Sequence, residues 1–233
     1  MCRSCRRQFA NTNQWHSCIE LALDEHLAAK SDLGVELYST VESALRVCGE
    51  FRIHPQKSRV AFIARMTFAG VRLATRWADL SFILARPLDD RRIRSLEMYG
   101  PTSFGHHVRI ADPSEVDRDV RAWLCEAHSR GQQETLDSKA TVEPLVGIAL
   151  ERVLVPLRTR VVDTVDGLAL RLPVYAAQAF GAHPYVTARV GRNRYAAEIR
   201  TDEGRPVMFM GDVLNQLGLG SGDETDAFLT ADL

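Results

Sequence analysis

The fold class follows from one alternating run, Arg59-Val60-Ala61-Phe62-Ile63-Ala64-Arg65-Met66-Thr67-Phe68. Every second residue from Val60 to Phe68 is apolar, and the opposite face includes two arginines and a threonine, which predicts a half-buried β-strand. Ala69-Gly70 predicts a turn after this strand. Two further alternating runs, residues 71–76 and 79–84, continue the pattern. Connections this short exclude parallel crossovers, so we expect an antiparallel meander.

Apolar residues at helical spacing flank these strands on both sides. Residues 35–48 predict the first helix. Asp112-Pro113-Ser114-Glu115 predicts the start of the second, with Asp112 as N-cap and Glu115 completing a capping box. Gly131 ends this helix, and its apolar stripe consists of Val116, Val120, Trp123, Leu124 and Ala127. Two helices that cover the apolar face of a meander predict an α+β fold.

The chain divides into four segments. Residues 1–30 form a zinc-knuckle-like segment and residues 31–131 form the α+β domain. Residues 132–160 predict a polar linker followed by a helix over 142–155. Residues 161–233 predict a small closed β-barrel, because several short strands follow one another at close spacing. These strands are expected at residues 168–174, 185–190, 194–200, 207–210 and 225–230, with a short helix at 211–217.

The composition is that of an ordinary globular protein. The chain has 233 residues, of which 45% are hydrophobic and 25% charged, with a formal net charge of -1. These values argue against a wholly basic nucleic-acid coat protein and against an acidic disordered protein. No apolar stretch approaches the roughly 18 residues of a membrane span, and no signal-peptide core follows residues 1–7. We therefore expect a cytoplasmic protein with no membrane partner.

The first residues predict a metal site. Cys2-Arg-Ser-Cys5 is followed, ten residues later, by His16-Ser-Cys18. Two cysteines two residues apart can bind one tetrahedral ion, and His16 with Cys18 completes a Cys3His set that is typical of structural zinc. One alternative is a frayed N-terminus whose cysteines bind nothing. A second is a redox Cys-x-x-Cys pair.

The two remaining cysteines lie in helical stretches. Cys48 ends the first predicted helix, and Cys125 follows Trp123-Leu124 in the second. Buried free cysteines behave as small hydrophobic side chains, so we expect both to be free thiols that pack in the core.

Positive charge is concentrated in the middle of the chain. Residues 52–109 contain eleven Lys or Arg and four Asp or Glu, a local excess of seven positive charges. Strand alternation predicts that Arg59 and Arg65 share one polar face, and that Arg72 and Arg76 share another. Such a surface would bind phosphate, nucleotide or nucleic-acid backbone, and the alternative is a solvated face whose arginines lie over the sheet. The candidate ligand-binding residues are Lys57, Arg59, Arg65, Arg76, His106, His107 and Arg109.

Several stretches within the first 131 residues carry a family resemblance. They are the run from Cys2 to Cys18, Glu25-His26-Leu27 with Lys30, residues 55–62, and His106-His107-Val108-Arg109 followed by the Trp123 helix. Together they resemble a family of uncharacterised bacterial proteins that is classed as a domain of unknown function. The resemblance implies the zinc site and a domain boundary near residue 131. It implies no reaction and no catalytic residue.

The C-terminal segment carries a second resemblance. Tyr185-Val-Thr-Ala-Arg-Val-Gly191 and the run from Val213 to Asp223 resemble a second family of small bacterial barrels of unknown function. More loosely, they are similar to the swapped-hairpin barrels of transition-state regulators and antitoxins, which bind DNA as dimers. Five acidic residues and no Lys or Arg follow Gly211. A DNA-facing surface there would repel phosphate.

The sequence supports three functional hypotheses. It contains no nucleophile elbow, no His-Glu-x-x-His and no acidic metal cluster, so we favour a non-catalytic module that binds nucleic acid or another anion through the basic sheet face. The first alternative is an enzyme acting on a small anionic substrate in a pocket near Lys57 and His106 or His107. The second is a protein-interaction adaptor whose acidic C-terminal barrel pairs with the basic middle domain, with another protein or with a second copy.

Overall fold

The computed structural model describes residues 21–133, 153–180 and 185–230. These residues form twelve β-strands and five α-helices, in agreement with the predicted α+β class. They divide into two compact units. Unit 1 comprises the described residues of 1–80 and 110–133, and unit 2 comprises those of 81–109 and 134–233.

Unit 1 combines antiparallel strands with three helices. The helices are α1 (Leu23–Ala28), α2 (Asp32–Arg46) and α3 (Arg118–Gly131). The strands are β1 (Arg52–Pro55), β2 (Val60–Ile63), β3 (Thr67–Leu73) and the first residues of β4 (Ala78–Leu84). β2 pairs antiparallel with β1 and with β3, so the predicted meander is present. β4 alternates between buried and half-buried residues, as its sequence predicted.

The run from Val60 to Phe68 is interrupted, so the prediction of one continuous strand is wrong. A bend at residues 64–66 separates β2 from β3. The backbone amides of Arg65 and Met66 both donate to the carbonyl of Gly131, at 3.1 Å each. The carbonyl at the end of α3, which has no partner within its helix, thus satisfies the two amides that leave the sheet ladder.

The turn predicted at Ala69-Gly70 is also wrong, because both residues lie inside β3 and are buried. Phe68, just before them, is skipped in the pairing between β2 and β3 and forms a β-bulge. A Cβ on Gly131 would lie only 2.7 Å from the Cβ of Phe68. Gly131 therefore allows α3 to pack closely against β3 at Phe68.

Aromatic side chains connect the helices of unit 1 to its strands. The ring of Phe62 lies 6.3 Å from that of Tyr38 in α2 and 5.5 Å from that of Phe51, measured between centroids. The ring of Phe68 lies 5.2 Å from that of His128 in α3. Burying one such side chain contributes about 1.5–3 kcal/mol, and an aromatic pair adds about 0.5–1.5 kcal/mol. The two predicted helices therefore do cover the sheet.

Helix α3 begins later than its sequence suggests. Asp112 and Glu115 form the predicted capping box, but it caps a single 3-10 turn, Pro113–Glu115. Asp117 is the N-cap of α3 itself, and its carboxylate accepts a hydrogen bond from the backbone amide of Val120 at 3.0 Å. The five apolar positions predicted for the helix are buried, which confirms the stripe.

Cys48 and Cys125 form a disulfide bond, with their Cα atoms 4.9 Å apart. The prediction of two free thiols is therefore wrong. Each cysteine follows the apolar positions of its own helical stretch, and α2 packs against α3. Both cysteines are half-buried, and a local helical pattern does not show that two positions 77 residues apart face one another.

Unit 2 is built mainly from strands. After β4, its strands are β5 (Ile93–Gly100), β6 (Ser103–Ile110, whose last residue belongs to unit 1), β7 (Val153–Thr164), β8 (Gly167–Arg171), β9 (Tyr185–Val190), β10 (Asn193–Asp202), β11 (Arg205–Phe209) and β12 (Glu224–Thr230). Two short helices are α4 (Val174–Phe180) and α5 (Val213–Gln216).

Six of these strands pair in a closed ring. β7 pairs with β12, β12 with β9, β9 with β10, β10 with β11, β11 with β8, and β8 with β7, all antiparallel. β5 joins β7 in parallel, through Leu96 and Val153. Side chains from these strands and both short helices, such as Phe180, Met208 and Leu214, share one apolar core.

The sequence misplaced two elements of unit 2. β7 begins at Val153, so the last residues of the helix predicted over 142–155 are in a strand, and its earlier residues lie outside those described. The alternating burial of β7 continues through Pro156, just after the stretch predicted as a helix. α4 was not predicted, and it begins at the last residue of the strand expected over 168–174.

Candidate functional site

The seven predicted ligand residues are divided between the two units. Lys57, Arg59, Arg65 and Arg76 belong to unit 1, and the segment His106-His107-Val108-Arg109 belongs to unit 2.

Lys57 and Arg59 lie on the tight turn between β1 and β2. The backbone amide of Gln56 donates to the carbonyl of Arg59 at 2.8 Å, which closes the turn. The Nε of Arg59 donates to the side-chain oxygen of Gln56, also at 2.8 Å. That partner is neutral, so this hydrogen bond does not offset the positive charge of the guanidinium. Lys57 and Arg59 are both exposed.

Arg76 lies on the next turn, between β3 and β4. The backbone amide of Ala74 donates to the carbonyl of Trp77 at 2.9 Å and closes this turn. Arg72, near the end of β3, forms an ion pair with Asp79 at the start of β4. Arg72 and Arg76 are both exposed.

The register of the strands places these two turns at the same end of the sheet. Pro55 pairs with Val60, and Val60 pairs with Val71, so the β1–β2 turn lies beside the end of β3, from which the β3–β4 turn continues. We call the four cations there the basic turn cluster: Lys57, Arg59, Arg72 and Arg76.

The first turn of α2 adjoins the basic turn cluster. The hydroxyl of Ser31, the N-cap of α2, donates to the carbonyl of Thr75 at 2.9 Å. Asp32 therefore stands near the β3–β4 turn as an exposed acid, and Asp79 is bound to Arg72. Between residues 51 and 80, Asp79 is the only acidic residue in the sequence.

Arg65 lies at the opposite end of the sheet from the basic turn cluster. Arg52 pairs with Ile63 there, and Arg65 is in the bend that follows. Because β2 ends at Ile63, the prediction that Arg59 and Arg65 share one strand face is wrong. The interruption of the strand separates the two arginines by the length of β2.

His106 is fully buried in unit 2 and is part of its core. Its Nε2 accepts a hydrogen bond from the backbone amide of Leu88 at 3.1 Å, and its ring stacks on Phe82 at 5.3 Å. Burial lowers the pKa of His106 to about 4, although the backbone carbonyls of Phe104 and Phe82 partly oppose that shift. His106 is thus neutral at physiological pH, with one ring nitrogen already occupied.

His107 faces away from the side chain of His106, as expected for adjacent strand residues. It is half-buried, and its Nε2 lies 3.5 Å from a carboxylate oxygen of Glu97. Arg109, two residues further along β6, is also half-buried. Of the two histidines, only His107 has solvent access in this fold.

Unit 2 also contains a cavity that no pattern in the sequence predicts. Its volume is about 560 Å³, and it opens along strand β10. The residues that line it are Asp166, Gly167, Leu168, Tyr185, Ala196, Ala197, Glu198, Arg200, Phe209, Gly211, Asp212 and Asn215. They come from β8, β9, β10, β11, α5 and adjoining turns, so no local motif reveals them. The only local signal is Glu198-Ile-Arg200, an acid and a base on the same face of a strand.

The predicted zinc ligands, Cys2, Cys5, His16 and Cys18, lie outside the described residues. Within residues 21–133, 153–180 and 185–230, no three His, Cys, Asp or Glu side chains are grouped to hold a metal ion. In the same residues, no helix has the length and apolar character needed to cross a membrane.

Comparison with protein families gives one match, over the region just described. Residues 23–130 match the model of a domain of unknown function, DUF5655. The DUF5655 region includes the basic turn cluster and the segment from His106 to Arg109, but it starts after the run from Cys2 to Cys18. The resemblance noted for the first 131 residues is thus supported over residues 23–130, and the second resemblance stays a prediction. No curated protein and no solved structure matches the chain.

Proposed function

We propose that the DUF5655 region binds the phosphate backbone of nucleic acid through the basic turn cluster. The observation that carries this proposal is that two tight turns bring exposed cations to one end of the sheet, where Asp79 is the only acid contributed by the strands. Neutralising phosphates with Lys and Arg releases condensed counterions, and that release drives backbone binding.

The form of the surface favours an extended ligand. None of the four cations lines the cavity of unit 2, and all four are exposed on turns or near the end of a strand. Cations placed on projecting turns can contact successive phosphates, whereas a small anion is usually held in a concave site. Such contacts fix the position of the protein on the strand and carry little sequence preference.

The test is the salt dependence of binding to short fluorescein-labelled oligonucleotides, single-stranded and duplex, followed by anisotropy. The variant is Lys57→Glu with Arg76→Glu, which leaves the Arg72–Asp79 pair and the Arg59–Gln56 bond in place. We expect at least a tenfold loss of affinity, and a log–log salt slope smaller by about 1.4 for single strands and about 1.8 for duplexes if two phosphate contacts are lost.

A matched control uses the other end of the same sheet. Arg52→Glu with Arg65→Glu makes the same change in net charge, and both positions are exposed. If this control loses as much affinity as the Lys57 and Arg76 variant, the binding is unspecific attraction and the basic turn cluster is not the site. Unchanged binding in both variants would also refute the proposal.

For the parts of the chain that the site does not involve, the sequence-based predictions stand as proposals. Cys2, Cys5, His16 and Cys18 would bind structural zinc, which elemental analysis of untagged protein and a Cys5→Ser variant would test. The closed ring of strands in unit 2 supports a small β-barrel, and its acidic end would serve a protein partner or a homodimer. Light scattering at low and high salt tests that association.

A cytoplasmic location is also proposed. It bears on the bond between Cys48 and Cys125, because disulfides are rare in the reducing cytoplasm and those that form there are usually transient or redox-sensing. Alkylation of the two thiols in freshly lysed cells would show which state prevails.

A further inference from the structure

The cavity of unit 2, which we call the β10 cavity, has a wall made of one row of side chains. Glu198 in β10 pairs with Tyr185 in β9 on one side and with Phe209 in β11 on the other. Directly paired residues of adjacent strands point to the same face, so an acid stands between two aromatic rings. Arg200, two residues further along β10, projects from that same face.

This wall already holds one organic cation, the guanidinium of Arg200. It donates to a carboxylate oxygen of Asp166 at 3.0 Å and to one of Glu198 at 2.7 Å. Its central carbon lies 5.0 Å from the centroid of the Phe209 ring. Two carboxylates and an aromatic face form the set that binds guanidinium groups in proteins. The hydrogen bond from Arg200 also lowers the pKa of Glu198, so this acid stays ionised.

The lining contains a further aromatic ring and a further carboxylate, those of Tyr185 and Asp212, and among the described residues no cationic side chain binds them. Tyr185 is 69% exposed, which is unusual for a large aromatic side chain. Asp212 accepts a hydrogen bond from the side-chain amide of Asn215 at 2.7 Å, a neutral partner. Among the residues that line the cavity, Arg200 is the only Lys or Arg, against three carboxylates. The lining therefore has an excess of two negative charges.

The space between these groups is open. Ala196 gives the wall a small side chain, and Gly167 and Gly211 contribute none. A Cβ added at either glycine would meet no atom within 4 Å. The volume of about 560 Å³ falls within the range of small-ligand sites.

We infer that the β10 cavity binds a second organic cation, an amine or guanidinium carried on a short apolar chain. Its charged group would be bound by Asp212. Its aliphatic part would cover Ala196 and the exposed edge of Tyr185. The cation can belong to a small free molecule or to the side chain of a basic peptide, since both present the same chemistry.

Calorimetric titration with two probes distinguishes these sources. One probe is agmatine, a free guanidinium with a short aliphatic amine chain. The other is a peptide with a single arginine, acetylated at its N-terminus and amidated at its C-terminus. Binding of agmatine alone assigns the cavity to a free cation, and tighter binding of the peptide assigns it to a peptide side chain. If neither probe binds at millimolar concentration, the inference is wrong.

Variants of the full chain locate the binding. Asp212→Asn keeps the hydrogen bond to Asn215 and removes the charge, so we expect about a fivefold to tenfold loss of affinity. Tyr185→Ala removes the apolar contact with the aliphatic part of the ligand and should weaken binding about threefold to fivefold. The control Asp226→Asn removes an exposed carboxylate of unit 2 that does not line the cavity.

Two outcomes would overturn this assignment. One is that the Asp226 control weakens binding as much as Asp212→Asn does, which would indicate attraction to net charge alone. The other is unchanged affinity in both the Asp212 and Tyr185 variants. Far-UV circular dichroism and thermal unfolding of each variant show that the fold is retained.

Discussion

The basic turn cluster and the β10 cavity carry opposite charge in opposite settings. The cluster presents cations on two projecting turns, close together in the sequence between Lys57 and Arg76. The cavity is lined by side chains from β8, β9, β10, β11, α5 and the adjoining turns, between Asp166 and Asn215. A concentration of positive charge on neighbouring turns can be predicted from the sequence. A cavity cannot, because it forms only when strands that are distant in the sequence pair with one another. The near-zero net charge of the chain therefore conceals two separate regions of opposite charge.

The scaffolds that support these two regions also differ. Unit 1 has a disulfide that joins Cys48 to Cys125, and unit 2 has a ring of paired strands. All tryptophans of the described residues, Trp77 and Trp123, belong to unit 1. Trp15 lies outside the described residues, so tryptophan fluorescence of a Trp15→Phe background follows unit 1, and circular dichroism follows both units. Substitutions that affect only unit 1 or only unit 2 test whether the two units are stabilised in different ways.

The largest effect is expected from the disulfide. Replacing both cysteines, Cys48→Ser with Cys125→Ser, should lower the free energy of unfolding of unit 1 by about 4 kcal/mol, because the bond closes a loop of 77 residues. Denaturant titration followed by tryptophan fluorescence measures this loss. Agmatine binding by unit 2 should persist in the variant. A fluorescence transition that does not move would mean that the bond contributes nothing to unit 1.

The next largest effect is the pH dependence caused by His106 in unit 2. Burial lowers its pKa from 6.5 to about 4, and the positive charges of Arg86 and His107 act in the same direction. The unfolded chain therefore binds the proton more tightly than the folded chain. Stability is full above pH 6.5 and falls by up to about 3 kcal/mol as the pH drops to about 4.

The variant His106→Gln tests that pH dependence. Glutamine keeps an acceptor for the Leu88 amide but does not titrate, so the loss of stability between pH 6.5 and pH 4 should shrink. Urea titrations at several pH values, followed by circular dichroism, give the slope. His107→Gln, at a partly exposed position, is the matched control and should leave most of the slope in place.

A smaller effect is expected where α3 meets the Phe68 bulge. Gly131→Ala would place a Cβ 2.7 Å from the Cβ of Phe68 and 2.9 Å from its ring, so the contact must open. We expect a loss of about 2 kcal/mol in unit 1, measured by tryptophan fluorescence. The control Gly100→Ala, in β5 of unit 2, meets nothing within 4 Å, and its stability is followed by circular dichroism. Equal losses in the two variants would show that crowding at Phe68 is not the cause.

The smallest effect concerns the exposed pair Arg72 and Asp79. A double-mutant cycle with Arg72→Ala and Asp79→Ala should give a coupling of about 0.5 kcal/mol, because solvent screens the pair. The corresponding cycle for Arg200 and Glu198 should give a larger coupling, because the contacts of Arg200 with Asp166 and Phe209 already order its side chain, so less side-chain entropy is lost when it pairs with Glu198. Equal couplings would show that Arg200 in the wall of the β10 cavity binds its carboxylate no more strongly than Arg72 at the exposed end of β3 does.

The sequence predicted the parts of the fold that depend on local periodicity. The apolar stripe of α3, the alternation of β4 and the short strands of unit 2 all follow from spacing along the chain. It misplaced the bend after β2, because Ala64-Arg65-Met66 continues the alternating pattern. What ends the strand is the carbonyl of Gly131, far along the chain, which accepts both amides. A local pattern contains no information about that partner.

The candidate sites show the same division. Lys57, Arg59 and Arg76 were found because positive charge is dense in that stretch of sequence. Arg65 was predicted to share a strand face with Arg59, but β2 ends at Ile63 and Arg65 lies in the bend that follows. His106 was predicted as a candidate ligand-binding residue, but it is buried in unit 2, and burial lowers its pKa so that it is neutral. The residues of the β10 cavity became visible only through the register of β9, β10 and β11.

The position of β12 has a consequence for the order in which unit 2 is built. This strand lies between β7 and β9 and pairs with both, so the ring stays open until residues 224–230 are available. During synthesis, β7 and β9 emerge long before the strand that joins them. Until then, the edge of each strand that pairs with β12 has no partner, and it can pair with other chains. Unit 2 therefore gains its closed form late, at the end of a largely non-local assembly.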